Sequence, residues 1–152
     1  MAITYSVETM DEVLEDMRPL WDLHWDEIAL DKDKVPLNPD LATFEVLEDA
    51  GLLLIITVRD DGKLIGYHVS IVRPHLHYKE SLTAYADMYF LHPDYRGGMT
   101  GVKLFKFLEE QLRERGVDRI YQGTKMHKDV GRLFERLGYK ETERLFVKWI
   151  GD

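Results

Sequence analysis

The sequence predicts a mixed α/β fold, a central sheet flanked by helices, and three observations lead there. Two amphipathic segments occupy the first third of the chain, residues 52–72 read as a β-hairpin, and residues 82–121 run strand, glycine turn, helix, strand. A hairpin gives antiparallel pairing, whereas a strand that returns after a crossover helix pairs parallel, so the sheet is mixed. No repeat, low-complexity tract or linker divides residues 1–152, which therefore read as one domain.

Each element has a local cause. Thr9 and Glu12 have capping-box spacing, and Val13, Leu14, Met17, Leu20 and Trp21 follow at helical spacing, so a helix starts near residue 10. Pro19 lies inside this pattern and removes a backbone donor, which predicts a kink or a second helix starting there. Asn38 as N-cap, Pro39 in the first turn and Gly51 past the end bracket a second helix with Leu41, Phe44 and Leu47 inward. Both helices are expected to precede the sheet.

Residues 52–58 are apolar and β-prone, Asp60, Asp61 and Gly62 supply turn chemistry, and residues 63–72 form the return strand. Pro74 and the polar residues to Ser81 read as a loop, and residues 82–91 as a long third strand. Leu104, Phe105, Leu108 and Leu112 share one face of a helix over 100–115, which Gly116 stops. A short strand over 117–121 completes the β-α-β unit. Asp129 can cap a last helix containing Val130, Leu133, Phe134 and Leu137, Gly138 ends it, and residues 145–150 read as a final strand.

Composition narrows the chemistry. The chain has no cysteine, so disulfides, thiolate metal sites and cysteine nucleophiles drop out. No apolar run is long enough to span a membrane and the N-terminal residues do not resemble a signal peptide, which predicts a cytoplasmic protein with no membrane partner. A formal net charge of −8 disfavours nucleic acid as a partner, since phosphate backbones need a concentrated basic surface. Local positive charge does exist in the second half, at Arg96, Lys103, Lys106, Lys125, Lys128 and Arg132.

The most informative stretch runs from Asp87 to Gly101, DMYFLHPDYRGGMTG. A strand ends, Gly97 and Gly98 make a turn, and a helix begins, so backbone N–H groups converge with the positive end of the helix dipole. Such a nest suits phosphate, Arg96 adds a fork-shaped donor beside it, and a plain tight turn is the competing reading. Taken with the order of elements and the LFERLGY segment at 133–139, the chain resembles the GNAT superfamily of N-acetyltransferases over nearly its whole length.

The resemblance implies a mostly antiparallel twisted sheet with a β-α-β core that holds CoA. It also implies acetyl-CoA as co-substrate, an amine acceptor, and room for a homodimer. The family loop, Arg or Gln, two residues, Gly, one residue, Gly or Ala, holds the cofactor pyrophosphate. Arg96 and Gly101 match its outer positions, with Gly97, Gly98 and Thr100 between them, and Met99 stands where glycine is usual. Phe90 and Leu91 fall where backbone groups meet the pantetheine arm, and His127 where an asparagine often contacts it. Phe134 occupies the place of a tyrosine that protonates the leaving thiolate, and phenylalanine has no proton to give. Tyr139, Tyr89, His127 or a water are the replacements, or the thiolate leaves unassisted.

A primary amine with a pKa of about 10.4 is protonated at neutral pH and must lose a proton before it attacks a thioester. Asp87 is the candidate base, and strand alternation puts Tyr85, Asp87 and Tyr89 on one face as an aromatic slot with a single acid. The competing reading has Asp87 facing solvent or paired with a cation. Trp25 and Glu27, in an aromatic and acidic patch with Trp21, His24 and Asp26, are candidate contacts for a cationic amine, and an ordinary core pair is the alternative. His75 and His77 are two residues apart with His68 nearby, but no third ligand is spaced with them, so no metal is expected. A non-catalytic CoA-binding or interaction module on the same fold is the competing function, as is transfer of a longer acyl group.

Overall fold

The structure is a computed structural model that describes residues 1–152. Its elements are β1 (Ile3–Val7), α1 (Met10–Ile28), α2 (Leu41–Asp49), β2 (Leu53–Asp60), β3 (Lys63–His75), β4 (Tyr78–Leu91), a 3₁₀ turn (Pro93–Tyr95), α3 (Thr100–Glu114), β5 (Arg119–Tyr121) and α4 (Gly131–Arg136). One sheet holds the strands in the order β1-β2-β3-β4-β5. The first four pair antiparallel, and β5 lies parallel to β4 from Thr83↔Arg119 to Tyr85↔Tyr121, the mixed sheet with a β-α-β unit that the sequence predicts.

Helices cover both faces of the sheet, which is why β2 is apolar at consecutive positions. Val13, Met17, Leu20 and Trp21 of α1 pack on Leu53, Ile55, Tyr67, Val69 and Phe90. On the opposite face Leu104, Phe105, Leu108 and Leu112 of α3, with Phe134 of α4, pack on Leu54, Ile56, Val58, Ile65 and Ala84. The β2–β3 hairpin turns through Asp61 (φ 48°) and Gly62 (φ 89°), two positive φ values in succession, as a two-residue turn requires to match strand twist.

Several expectations need correction. The sheet starts before the helices, because β1 pairs with β2 along Ile3↔Asp60 to Val7↔Ile56. Of the two expectations for Pro19, a second helix starting there does not hold: α1 runs through it from Met10 to Ile28, with buried Met17, Leu20 and Trp21 holding both halves to the sheet. Glu15, whose carbonyl loses its donor at Pro19, is on the exposed side where solvent can satisfy it. The α2 cap is Asp40, not Asn38, since the Asp40 carboxylate accepts both the Thr43 N–H at 3.1 Å and its hydroxyl at 2.6 Å. Asp129 accepts the Gly131 N–H at 2.8 Å while Val130 occupies the N-cap position of α4.

The β3–β4 hairpin runs past Pro74 to His75↔Tyr78, with a register shift after Pro74 that absorbs the missing donor. The final strand over 145–150 does not form. No residue after Tyr139 joins a helix, a strand or a hydrogen bond, and Leu145 (88%), Phe146 (91%) and Ile150 (88%) are exposed. A strand exists through its ladder, and the neighbouring open edge, β5, is three residues long. No helix is long and apolar enough to cross a membrane.

Candidate functional site

The segment joining β4 to α3 is held from both ends. The Tyr95 hydroxyl donates to Asp60 at 2.6 Å and the Tyr5 hydroxyl donates to the Thr100 carbonyl at 3.1 Å, so β1 and β2 fix the turn and the start of the helix. Gly97 has φ 90°, a conformation side chains resist, and a Cβ added to Gly97 or Gly98 would meet no atom within 4 Å. The backbone N–H groups of residues 97–102 have no acceptor in the chain, and α3 has no side-chain cap. Six consecutive free donors at the positive end of a fifteen-residue helix form an anion cradle. This donor set fits a pyrophosphate. Met99, the departure from the family pattern, is 57% exposed, and its N–H is one of the six. Gly101 sits 3.7 Å from a Leu91 methyl by the same Cβ measure, an ordinary contact.

Arg96 does not stand free beside this cradle. Its Nε donates to the Leu91 carbonyl at 2.7 Å, its Nη2 donates to both carboxylate oxygens of Glu27 at 2.9 and 3.0 Å, and its guanidinium stacks 5.3 Å above Phe90. Only Nη1 lacks a partner. Glu27, expected to face a cationic acceptor, is thus already neutralised, and the Trp25 ring has Lys32 Nζ 5.2 Å from its centre. Trp21 is core, as one of its two readings has it, and His24 is buried with Nδ1 2.8 Å from the Tyr67 hydroxyl.

A β-bulge rearranges the strand that carries Asp87. Val69 pairs with Met88 and Ser70 with Ala86, leaving Asp87 as the extra residue. The bulge inverts alternation, so Tyr85 shares the α1 face with Met88 and Phe90, while Tyr89 faces α3 with Leu91 and Ala84. The expected slot with Tyr85 and Tyr89 on one face is therefore not formed. Asp87 is exposed with no hydrogen-bond or ion-pair partner, and partial loss of hydration raises its carboxyl above the ordinary range. Because β5 pairs with β4 only over Thr83–Tyr85, the strands part beyond that point and leave the edge of residues 86–91, including Phe90 and Leu91, without a ladder partner. The Tyr89 hydroxyl bridges the gap to the Gly123 carbonyl.

Beneath the gap lies a buried polar chain. His68, 0% exposed, lies 3.0 Å from Gln122 Oε1 through Nε2 and 3.1 Å from the Ser70 hydroxyl through Nδ1. Gln122 Nε2 in turn donates to the Tyr139 hydroxyl at 3.5 Å. This direction gives a neutral His68 with its proton on Nε2, and burial pushes its pKa down to about 4. Burial raises the Tyr139 phenol and takes Tyr89 to about 12, so both keep their protons at neutral pH. Phe134 packs edge-on to Tyr89 and Phe105 as a core residue, with Tyr139 5.5 Å away. His127 is exposed and makes no hydrogen bond. No motif in the sequence marks Gln122 or Ser70, whose place in this chain depends on strands 54 residues apart.

The chain matches the family model described as Acetyltransferase (GNAT) family over residues 10–139. Curated proteins include none that matches the sequence. Among solved structures, a transcriptional regulator from Bacillus halodurans C-125 is 22% identical, with a TM-score of 0.77 over 97% of this chain and 100% of that one. AAC(6')-Iy, in complex with a CoA-linked bisubstrate analogue, is 20% identical, with a TM-score of 0.72 over 100% of both chains. A ribosomal-protein-alanine N-acetyltransferase from Brucella melitensis biovar Abortus 2308 is 18% identical, with a TM-score of 0.73 over 99% and 100%. At these identities the likeness establishes the fold, and the match over residues 10–139 establishes the family: the chain belongs to the GNAT acetyltransferases.

Proposed function

We propose that this chain is an N-acetyltransferase that moves an acetyl group from acetyl-CoA to a primary amine by direct attack in a ternary complex. The observation that carries the reading is the row of six unpaired N–H groups at residues 97–102, directly after the strand that carries Asp87. When bound, acetyl-CoA supplies an acetyl group activated as a thioester. The N–H groups of Gly97, Gly98, Met99, Thr100 and Gly101 bind its pyrophosphate, and Arg96 contributes the free Nη1. The β4 edge that ends at Phe90 and Leu91 takes the pantetheine amides as an added strand would, with the Leu91 carbonyl shared with Arg96 Nε. His127, on the exposed loop before α4, contacts the same arm.

Asp87 attracts the ammonium of the acceptor and takes its proton, and its raised pKa brings it closer to the working pH. Tyr139 holds the proton for the departing thiolate at its hydroxyl, steadied by Gln122 and His68, with Tyr89 as the neighbouring phenol. Tyr85 and Trp25, with Glu27 through its pair to Arg96, shape the acceptor side. The reading includes one domain, a cytoplasmic location, no membrane partner, nucleic acid disfavoured as a partner, and room for a homodimer, for which exposed Leu145, Phe146 and Ile150 offer apolar surface.

Phe134 favours a second reading, a CoA-binding or interaction module without catalysis, because the usual proton donor is absent and its replacement is core. Calorimetry with acetyl-CoA, paired with thiol titration across an amine panel, separates the two. Binding with amine-dependent CoA release supports the transferase, and binding with no release for any amine supports the module.

A further inference from the structure

We propose that the far end of the β3–β4 hairpin is an acceptor subsite that takes an anionic group, carboxylate or phosphate, on an aromatic or planar body whose amine reaches Asp87. The inference rests on the transferase reading and names its acceptor class. A cleft of about 470 Å³ opens there, lined by Ile71, Arg73, His75, His77 and Tyr85 among others. Rings follow one another along it. His75 lies 5.4 Å from His77, 4.9 Å from Tyr78 and 6.4 Å from Tyr85, and Tyr85 stacks on Tyr121 at 4.9 Å with planes 9° apart.

Its charge is opposite to that of the whole chain. In a protein of net charge −8, neither Arg73 in the lining nor Arg119, which stands on the far side of Thr83 in the same register, pairs with a carboxylate. Arg119 is instead aimed by aromatic groups: Nη1 donates to the Tyr121 hydroxyl at 3.1 Å and the guanidinium lies 5.8 Å over Tyr78. Asp118, its neighbour in sequence, is engaged with Ser81 and the Leu82 N–H at 3.3 Å. Arg73 uses only Nε, toward the Pro74 carbonyl at 3.4 Å. Two exposed guanidiniums with most donors free, beside stacked rings, are the groups that recognise an anion on a planar body.

Position ties the cleft to the candidate chemistry. Tyr85 is two residues before the bulged Asp87, and Arg73 pairs with Thr83, four residues before it. Thr83 and Met88 lie opposite Arg73 and Val69, four ladder steps apart, so at about 3.3 Å per step the bulged Asp87 lies within roughly 7 Å of Tyr85 and roughly 13 Å of Thr83 along the strand. An acceptor whose amine and anion are on the order of 10 Å apart fits this span, whereas a free α-amino acid is too short and a polycation meets two arginines.

The test uses the full chain with saturating CoA and three probes: phenylalanyl-glycyl-glycine, its C-terminal amide, and its aminomethylphosphonate-ended analogue. Calorimetry is expected to show at least tenfold tighter binding of one or both anionic probes than of the amide. The larger ratio tells carboxylate from phosphate. In Arg73→Gln/Arg119→Gln the ratio falls below twofold, with the thermal midpoint and CoA affinity unchanged. Equal binding of acid and amide, no binding of either anionic probe, or a preference that survives the double variant overturns the subsite. Because binding is read without turnover, selective binding with no acetyl transfer counts against the transferase reading alone.

Discussion

Two buried histidines make the fold acid-sensitive in a window where ordinary carboxylates are still charged. His24 and His68 both have pKa values lowered from 6.5 to about 4, chiefly because burial penalises the imidazolium. The unfolded chain binds these protons below about pH 6.5 and the folded chain does not, so stability is lost as pH falls from 6.5 toward 4. Between pH 7 and 5 each histidine removes about 2 kcal/mol, and the pair about 4 kcal/mol, out of the 5–15 kcal/mol that holds a typical domain together.

Asp87 and Glu109 work in the opposite sense, because partial loss of hydration raises both carboxyls and acid relieves that penalty. Guanidinium unfolding curves at pH 7, 6 and 5, followed by far-UV circular dichroism, measure the net slope. His68→Gln and His24→Gln share those carboxyls, so each variant is expected to lose only about half of the histidine-linked destabilisation. A variant slope equal to that of the unaltered chain would refute the assignment of these two side chains as the acid trigger.

Asp87→Asn should lower kcat by about a hundredfold and leave the CoA Kd within twofold, and a matched loss of CoA affinity would argue against a role as base. Gly98→Asp introduces a carboxylate into the cradle where a Cβ meets nothing within 4 Å, so the CoA Kd should weaken at least tenfold with little change in Tm; unaltered CoA affinity would remove the pyrophosphate from this loop. A homodimer seated on exposed Phe146 (91%) and Ile150 (88%) predicts twice the chain mass in light scattering for the unaltered protein and a single-chain mass for Phe146→Glu/Ile150→Glu; a single-chain mass before substitution, or twice the chain mass after it, would rule that contact out.

What the sequence makes legible is local. Asp61-Gly62, the α3 stripe and the glycine turn each carry their signal within a few residues, and the structure has all three where expected. The bulge at Asp87 has no such mark: no glycine or proline stands within residues 83–91, and an acid of low β-propensity in a strand reads equally as a functional residue, yet the bulge moves Tyr85 and Tyr89 to opposite faces. The Arg96–Glu27 pair joins residues 69 apart, so two site candidates selected separately neutralise each other only in three dimensions. Residues 145–150 show the converse, a strand pattern with no edge of matching length to complete it.

The most direct measurement is the recovery of labelled amide after incubating the chain with isotopically labelled acetyl-CoA and an amine panel, read by mass spectrometry. The account predicts protein-dependent transfer of label to at least one primary amine, strongly reduced in Asp87→Asn. Acetyl-CoA that binds while no amine acquires label, or label transfer untouched by Asp87→Asn, would contradict it.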